Sequence, residues 1–134
     1  MNETDQRRMR HWLACLSILA GKIHGLVMFE HFEEWWGYGL FFLMAASCQV
    51  FYGIILVVRP WKDHQRAAGY DRLGYVLAIA GNGAIVAFYA ITRTVGVPIF
   101  GPDEGDVEAF TTISLLSKAT EVVLIGCLVG LITG

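Results

Sequence analysis

Hydrophobic positions along the chain gather into four long runs, at about residues 11–32, 36–58, 73–92 and 109–132. Each run is about 20 residues or more. An α-helix rising about 1.5 Å per residue needs that length to cross a hydrocarbon layer about 30 Å thick. Polar and helix-breaking stretches separate the runs. Arg59-Pro60 closes the second, because proline lacks an N–H and restricts the residue before it. The segment Val97-Pro98-Ile99-Phe100-Gly101-Pro102 divides the third from the fourth. All three prolines fall in connections. The pattern predicts an all-α fold, an integral membrane four-helix bundle. Three short connections leave no room for a soluble unit, so residues 1–134 form a single domain.

The first run could pass for a secretory signal, since Arg7, Arg8 and Arg10 precede it. It continues past Lys22 and His24 without a small-residue cleavage site, and the later runs need a packing partner. It is therefore expected to be a retained first helix.

Composition agrees with a membrane setting. Charged residues make up 16% of the chain, against about a quarter in a soluble domain. Charge position sets orientation. Arg7, Arg8 and Arg10 precede the first run, and Arg59, Lys62, Arg66 and Arg72 join the second to the third. The other two connections are acidic, with Glu30, Glu33 and Glu34 in one and Asp103, Glu104, Asp106 and Glu108 in the other. Both termini are then expected to be cytoplasmic, in a multi-pass protein of the cell membrane. Trp35, Trp36, Tyr38 and Phe100 would lie at the outer interface, and Trp12 and Trp61 at the inner one. Nothing in the charge pattern suggests nucleic acid. The expected partners are membrane lipids and either other transmembrane subunits or a second copy. Gly21/Gly25 and Gly126/Gly130/Gly134 have the spacing that lets membrane helices approach closely.

Ionisable groups at membrane depth are costly and mark candidate sites. Here they are Lys22, His24, Arg93, Lys118 and Glu121, with Gln49, Tyr52, Asn82 and Tyr89 as neutral polar candidates. Counting helical rise from the outer ends puts His24 about 10 Å deep, Lys118 about 12 Å, Asn82 about 15 Å and Glu121 about 16 Å. Lys118 and Glu121, three residues apart, can pair. A polar interior in the outer half is expected from His24, His31, Asn82, Tyr89, Arg93, Lys118 and Glu121. It would either hold the bundle together or hold a ligand. Lys22 is the weakest candidate, because its long stem could reach toward an interface.

A metal is one such ligand. His24, Met28 and His31 recur on one helical face and suit copper, and Glu34 or another nearby carboxylate could complete a zinc site. Haem is disfavoured, since His24 and His31 share a run and the later runs contain no histidine. A di-iron centre is disfavoured because His31 and Glu34 give the His-x-x-Glu order once, the reverse of the Glu-x-x-His pair such sites use. Cys15, Cys48 and Cys127 sit in three different runs and form no CxxC pair. No nucleotide-binding or nucleophile motif occurs, so the chain is not expected to be an enzyme by itself.

The segments Glu30-His31-Phe32-Glu33-Glu34-Trp35-Trp36-Gly37-Tyr38-Gly39, Thr92-Arg93-Thr94-Val95-Gly96-Val97-Pro98 and Leu116-Ser117-Lys118, with His24 and Glu121, carry a resemblance. In them the chain resembles a group of small four-span membrane proteins of archaea and bacteria that has no assigned activity. The resemblance covers most of the chain and implies the same topology and polar residues, but no function. Two expectations follow from the architecture. The first is an accessory or stabilising subunit of a larger membrane protein complex. The alternative is an independent protein binding a metal ion or small ligand in the outer-half cluster. A proton or ion path is the weakest reading, because the inner half is poor in ionisable groups.

Overall fold

A computed structural model of the chain describes residues 2–98 and 101–133. The interfacial position expected of Phe100 and the third member of the Gly126/Gly130/Gly134 series lie outside the described residues. Four helices follow one another: α1 (Glu3–Glu34), α2 (Trp36–Val58), α3 (Ala67–Thr94) and α4 (Thr112–Thr133). Each is long and apolar enough to cross a membrane.

The apolar runs marked the hydrophobic part of each helix rather than its ends. α1 starts well before residue 11. Asn2 caps it by accepting from the Asp5 N–H at 2.8 Å, and Glu3 and Asp5 lie in the first turn, where the helix dipole favours negative charge. α3 starts at Ala67 rather than near 73, so its first turns are polar. α4 starts later than 109. The Thr111 and Ser114 side chains each accept from the other's backbone N–H, at 3.2 and 3.1 Å, a reciprocal cap that fixes the first turn there. The α2 boundaries agree with the expected ones.

α1 and α2 form the tightest pair. They are joined by the single extended residue Trp35 and run antiparallel. Two glycines set their spacing. A Cβ on Gly21 would lie 2.9 Å from the Ala46 carbonyl oxygen, and one on Gly53 would lie 2.9 Å from the Ala14 carbonyl oxygen. α4 packs on both α1 and α3. The core between them contains Leu13, Ala14, Leu56, Tyr75, Ala78, Leu124 and Leu128. α2 and α3 pack less closely, and side chains bridge them, among them the Phe41 and Phe88 rings with centroids 5.2 Å apart. Gln6 and Arg10 of α1 lie near Leu131 and Ile132 of α4, around one small recess. The start of α1 and the end of α4 are thus at the same end of the bundle.

At that end, Asp71 ties the α2–α3 connection. It accepts from Arg59 Nε at 3.1 Å and from Trp61 Nε1 at 2.9 Å, and its second oxygen pairs with the same guanidinium. This hydrogen bonding raises the Arg59 pKa above its ordinary value, against the opposing effect of burial. Arg59 caps α2 at φ 43°, a left-handed conformation that costs a non-glycine residue energy. Asp71→Ala is expected to destabilise the protein by about 1.5–3 kcal/mol, as for other charge-assisted hydrogen bonds. Reversible denaturation in mixed micelles checks this, and an unchanged midpoint would show the clasp to be dispensable.

At the opposite end, the acidic α3–α4 connection folds back on α3. Glu108 N–H donates to the Thr92 carbonyl at 3.0 Å, and Arg93 pairs with the Glu108 carboxylate. Gly96, at φ 110°, allows the return. A Cβ there would fall 2.5 Å from the Gly105 carbonyl oxygen.

Candidate functional site

One carboxylate organises the interior. Glu121 of α4 is fully buried at 0% exposure. His24 Nε2 of α1 lies 2.7 Å from its Oε1, an acceptor that assigns the proton to that ring nitrogen. Gln49 Nε2 of α2 donates to the same oxygen at 3.1 Å. Lys118, one turn back on α4, donates to Oε2. The Gln49 amide also donates to Asn82 Oδ1 of α3 at 3.0 Å, and Asn82 Nδ2 donates to the Ala78 carbonyl at 2.9 Å. Ser17 of α1 donates to the Gln49 backbone carbonyl at 2.7 Å. All four helices thus contribute to one network. Both Glu121 oxygens are occupied, which offsets the large cost of taking a carboxylate out of water.

A second chain of contacts leads toward the α3–α4 connection. The Arg93 guanidinium carbon lies 4.7 Å from the Tyr89 ring centroid, and Lys118 Nζ lies 5.5 Å from it. The ring's electron-rich face draws both cations. Tyr89 OH and Ser114 Oγ share a hydrogen bond of 3.0 Å. Six of the seven expected cluster residues are therefore connected: His24, Lys118 and Glu121 directly, Asn82 through Gln49, and Tyr89 and Arg93 through the Tyr89 ring. His31 stands apart. It bonds the Val27 carbonyl of its own helix at 2.8 Å and packs on the Phe42 ring at 4.1 Å.

Gln49, a neutral polar candidate by sequence and not one of the expected cluster, is the bridge between α2, α3 and α4. Gln49 and Glu121 both lie near the middle of their helices, Trp36–Val58 and Thr112–Thr133. Ser17 and Ser117 carried no signal, being small and common in apolar helices. Ser117 Oγ lies 3.5 Å from His24 Nε2.

Of the residues considered for an ion, His24, Met28, His31 and Glu34, the first has its Nε2 taken by Glu121 and the last is exposed. Among the described residues, no three His, Cys, Asp or Glu side chains come together in a way that could hold a metal ion.

Three buried polar atoms have no hydrogen-bond partner among the described residues: Gln49 Oε1, Tyr52 OH and Arg93 Nε. The residues Gln49 and Tyr52 are among those around a cleft of about 450 Å³ between α2 and α3. Among the described residues, no atom of another helix lies within 4 Å of a Cβ added to Gly126 or Gly130 of α4, so their small-residue spacing makes no close helix contact there. No protein family, curated protein or solved structure matches the chain.

Proposed function

We propose that the protein is an accessory subunit of a larger membrane complex, joined to it by an intramembrane ion pair at Lys22. In this reading it is a multi-pass protein of the cell membrane with both termini cytoplasmic, as the basic residues at that end suggest. Lys22 carries the proposal. It is exposed, on the stripe of α1 that also exposes Trp12, Leu19, Leu26 and Phe29. It has no hydrogen bond or ion pair among the described residues. Helical rise puts it about 15 Å from either end of the apolar stretch, the middle of a bilayer. Its stem carries the ammonium only part of the way toward an interface. A lysine facing lipid at that depth costs roughly 2.5–3.5 kcal/mol, and such residues almost always face protein and pair. The inward face of α1 is already committed to the Glu121 network, so a carboxylate on a partner's helix supplies what Lys22 lacks. Gly126 and Gly130 offer a second place for close helix contact.

The test is extraction of the tagged chain from native membranes, with native electrophoresis and identification of what migrates with it. A constant larger membrane protein is expected with wild type and Lys22→Arg, and is expected to be lost in Lys22→Leu. Because Lys22 is exposed and makes no hydrogen bond or ion pair among the described residues, Lys22→Leu should unfold at the same denaturant midpoint as wild type. Co-migration that survives Lys22→Leu would sink the proposal.

A second reading, binding of a small ligand, is favoured by one observation. Gln49, which links the polar network to the residues around the α2–α3 cleft, keeps a buried Oε1 with no hydrogen-bond partner among the described residues. The two readings are compatible, since Lys22 and the cleft belong to different helices.

A further inference from the structure

Two hollows adjoin at the basic end of the bundle. The α2–α3 cleft, of about 450 Å³, and the small recess between α1, α3 and α4, of about 180 Å³, share Arg10, Asp71 and Tyr75 in their linings. Arg59 lines the cleft and Arg72 lines the recess. Arginines from α1, from the end of α2 and from α3 thus stand around one carboxylate. Asp71 is already engaged, since both of its oxygens go to Arg59 and one also takes Trp61. Arg10 donates to the Tyr75 hydroxyl, a neutral partner. Arg72 is exposed. Neither Arg10 nor Arg72 has an ion pair among the described residues. A guanidinium keeps its charge at any ordinary pH, so two positive charges at these hollows have no counter-ion in the chain.

Away from that end the cleft carries no charge. It runs along α2 from Arg59 to Ala45 and along α3 from Asp71 to Ile85, about 21 Å of helical rise on each. Beyond Arg10, Arg59 and Asp71, no residue on its lining is charged. Phe51 of α2 and Leu77 of α3 belong to the lining and are exposed, at 64% and 62%. The cleft therefore opens sideways onto whatever surrounds the bundle, which in the membrane reading is hydrocarbon. One leaflet of hydrocarbon is about 15 Å deep, so the cleft is long enough to follow a lipid chain from the basic end to the middle of the bilayer.

Positive charge at one end of an uncharged length matches the division of an anionic phospholipid into headgroup and tail. The guanidinium fork pairs well with phosphate oxygens, and basic pockets between helices on the cytoplasmic side suit anionic headgroups. A zwitterionic lipid brings its own cation to arginines that already lack an anion. A free phosphate leaves the apolar cleft unused, and an uncharged lipid leaves Arg10 and Arg72 without a counter-ion. A partner helix needs both an acidic end and a second chain, whereas lipid already bathes the opening.

We propose that the α2–α3 cleft and the adjoining recess form a site for one anionic phospholipid of the cytoplasmic leaflet, with an acyl chain lying between α2 and α3 and the phosphate at Arg10 and Arg72. This rests on the ligand-binding reading above and on the orientation read from the basic residues.

Native mass spectrometry of the full chain, released from detergent micelles, counts the lipids it holds. The probe is dioleoyl phosphatidylglycerol, with dioleoyl phosphatidylcholine as the zwitterionic match and glycerol phosphate as the headgroup without tails. One phosphatidylglycerol is expected to bind about tenfold or more tighter than phosphatidylcholine, and glycerol phosphate should not displace it. Arg72→Gln, which changes an exposed side chain outside any ion pair and so should fold, is expected to lower phosphatidylglycerol affinity about tenfold and leave phosphatidylcholine unchanged. Arg8→Gln removes the same charge from an exposed position on neither hollow, and should change neither lipid. Gly81→Leu intrudes on the cleft from a position where an added Cβ meets nothing within 4 Å, and is expected to weaken both lipids by about tenfold. Equal losses in Arg8→Gln and Arg72→Gln would reduce the preference to the net charge of that end and overturn the site. Displacement by glycerol phosphate would overturn the lipid in favour of a free phosphate compound. Equal binding of the two lipids, lost in Gly81→Leu, overturns the headgroup contact and leaves the ligand-binding reading standing. No saturable adduct of either lipid, or cross-links from position 81 to another protein's helix in native membranes, overturns both.

Discussion

Glu121→Ala is expected to destabilise the bundle by about 3–5 kcal/mol, the cost of leaving a buried charge without its partner. The carboxylate receives His24, Gln49 and Lys118 from three directions. Removing it strands the Lys118 ammonium, which is mostly buried, and leaves the His24 ring nitrogen and one Gln49 bond without an acceptor. Reversible unfolding in mixed micelles, followed by helical circular dichroism, measures the loss. The control separates the strain of a stranded charge from the worth of the pair. In Lys118→Met with Glu121→Leu both charges are gone, and most of the lost stability should return, because apolar replacements of similar volume are often neutral or better. Glu121→Gln should fall between, keeping an oxygen for His24 while giving up the charge. A loss below about 1 kcal/mol in Glu121→Ala would mean that packing, not the network, holds the helices.

The helices were legible because each apolar run is long and each is stopped by charge or proline. Their ends were less so, since the polar first turns of α1 and α3 look like connections when only hydropathy is read. Of the network, the Lys118–Glu121 pair was legible because three residues on one helix are neighbours by geometry. His24 and Asn82 were legible by depth, which places side chains at a common level without saying which face points inward. That missing information explains Gln49. Its type marks it as a polar candidate, but only the packing of the helices brings it to Glu121. It also explains His31, on the expected face but a full two turns beyond His24, where Phe42 rather than a polar partner meets it. Lys22 is the reverse case. Its neighbours in sequence face the core, so local pattern alone did not reveal that it faces out. The α2–α3 cleft had no local signature, because it comes from the distance between two helices that each read as ordinary spans.

The seam between α1 and α2 should be the second most sensitive place in the molecule, and it is coupled to the first. A Cβ on Gly21 would stand 2.8 Å from Val50 Cγ2 and 2.9 Å from the Ala46 carbonyl oxygen, and one on Gly53 would stand 2.7 Å from Ile18 Cγ1. Side-chain ends can swing aside, but the backbone oxygens cannot, so the helices themselves must separate. Gly21→Ala and Gly53→Ala are each expected to cost about 1–3 kcal/mol, the range for overpacking a close-fitted interior. Gly25→Ala, whose added carbon would meet Ala46 at an ordinary 3.9 Å, should be nearly neutral. Separation of the seam also moves chemistry. Gly21 lies just before His24 on α1, and Gly53 follows Gln49 by one turn on α2, so prying the two helices apart draws both donors away from Glu121. The losses from Gly21→Ala and Glu121→Ala should therefore add to less than their sum when combined, by more than the roughly 0.5 kcal/mol scatter of independent sites. A double-mutant cycle in the same micelles reads this. Simple additivity would mean that the seam and the carboxylate stabilise the bundle separately, and that the network tolerates a wider helix pair than its bond lengths imply.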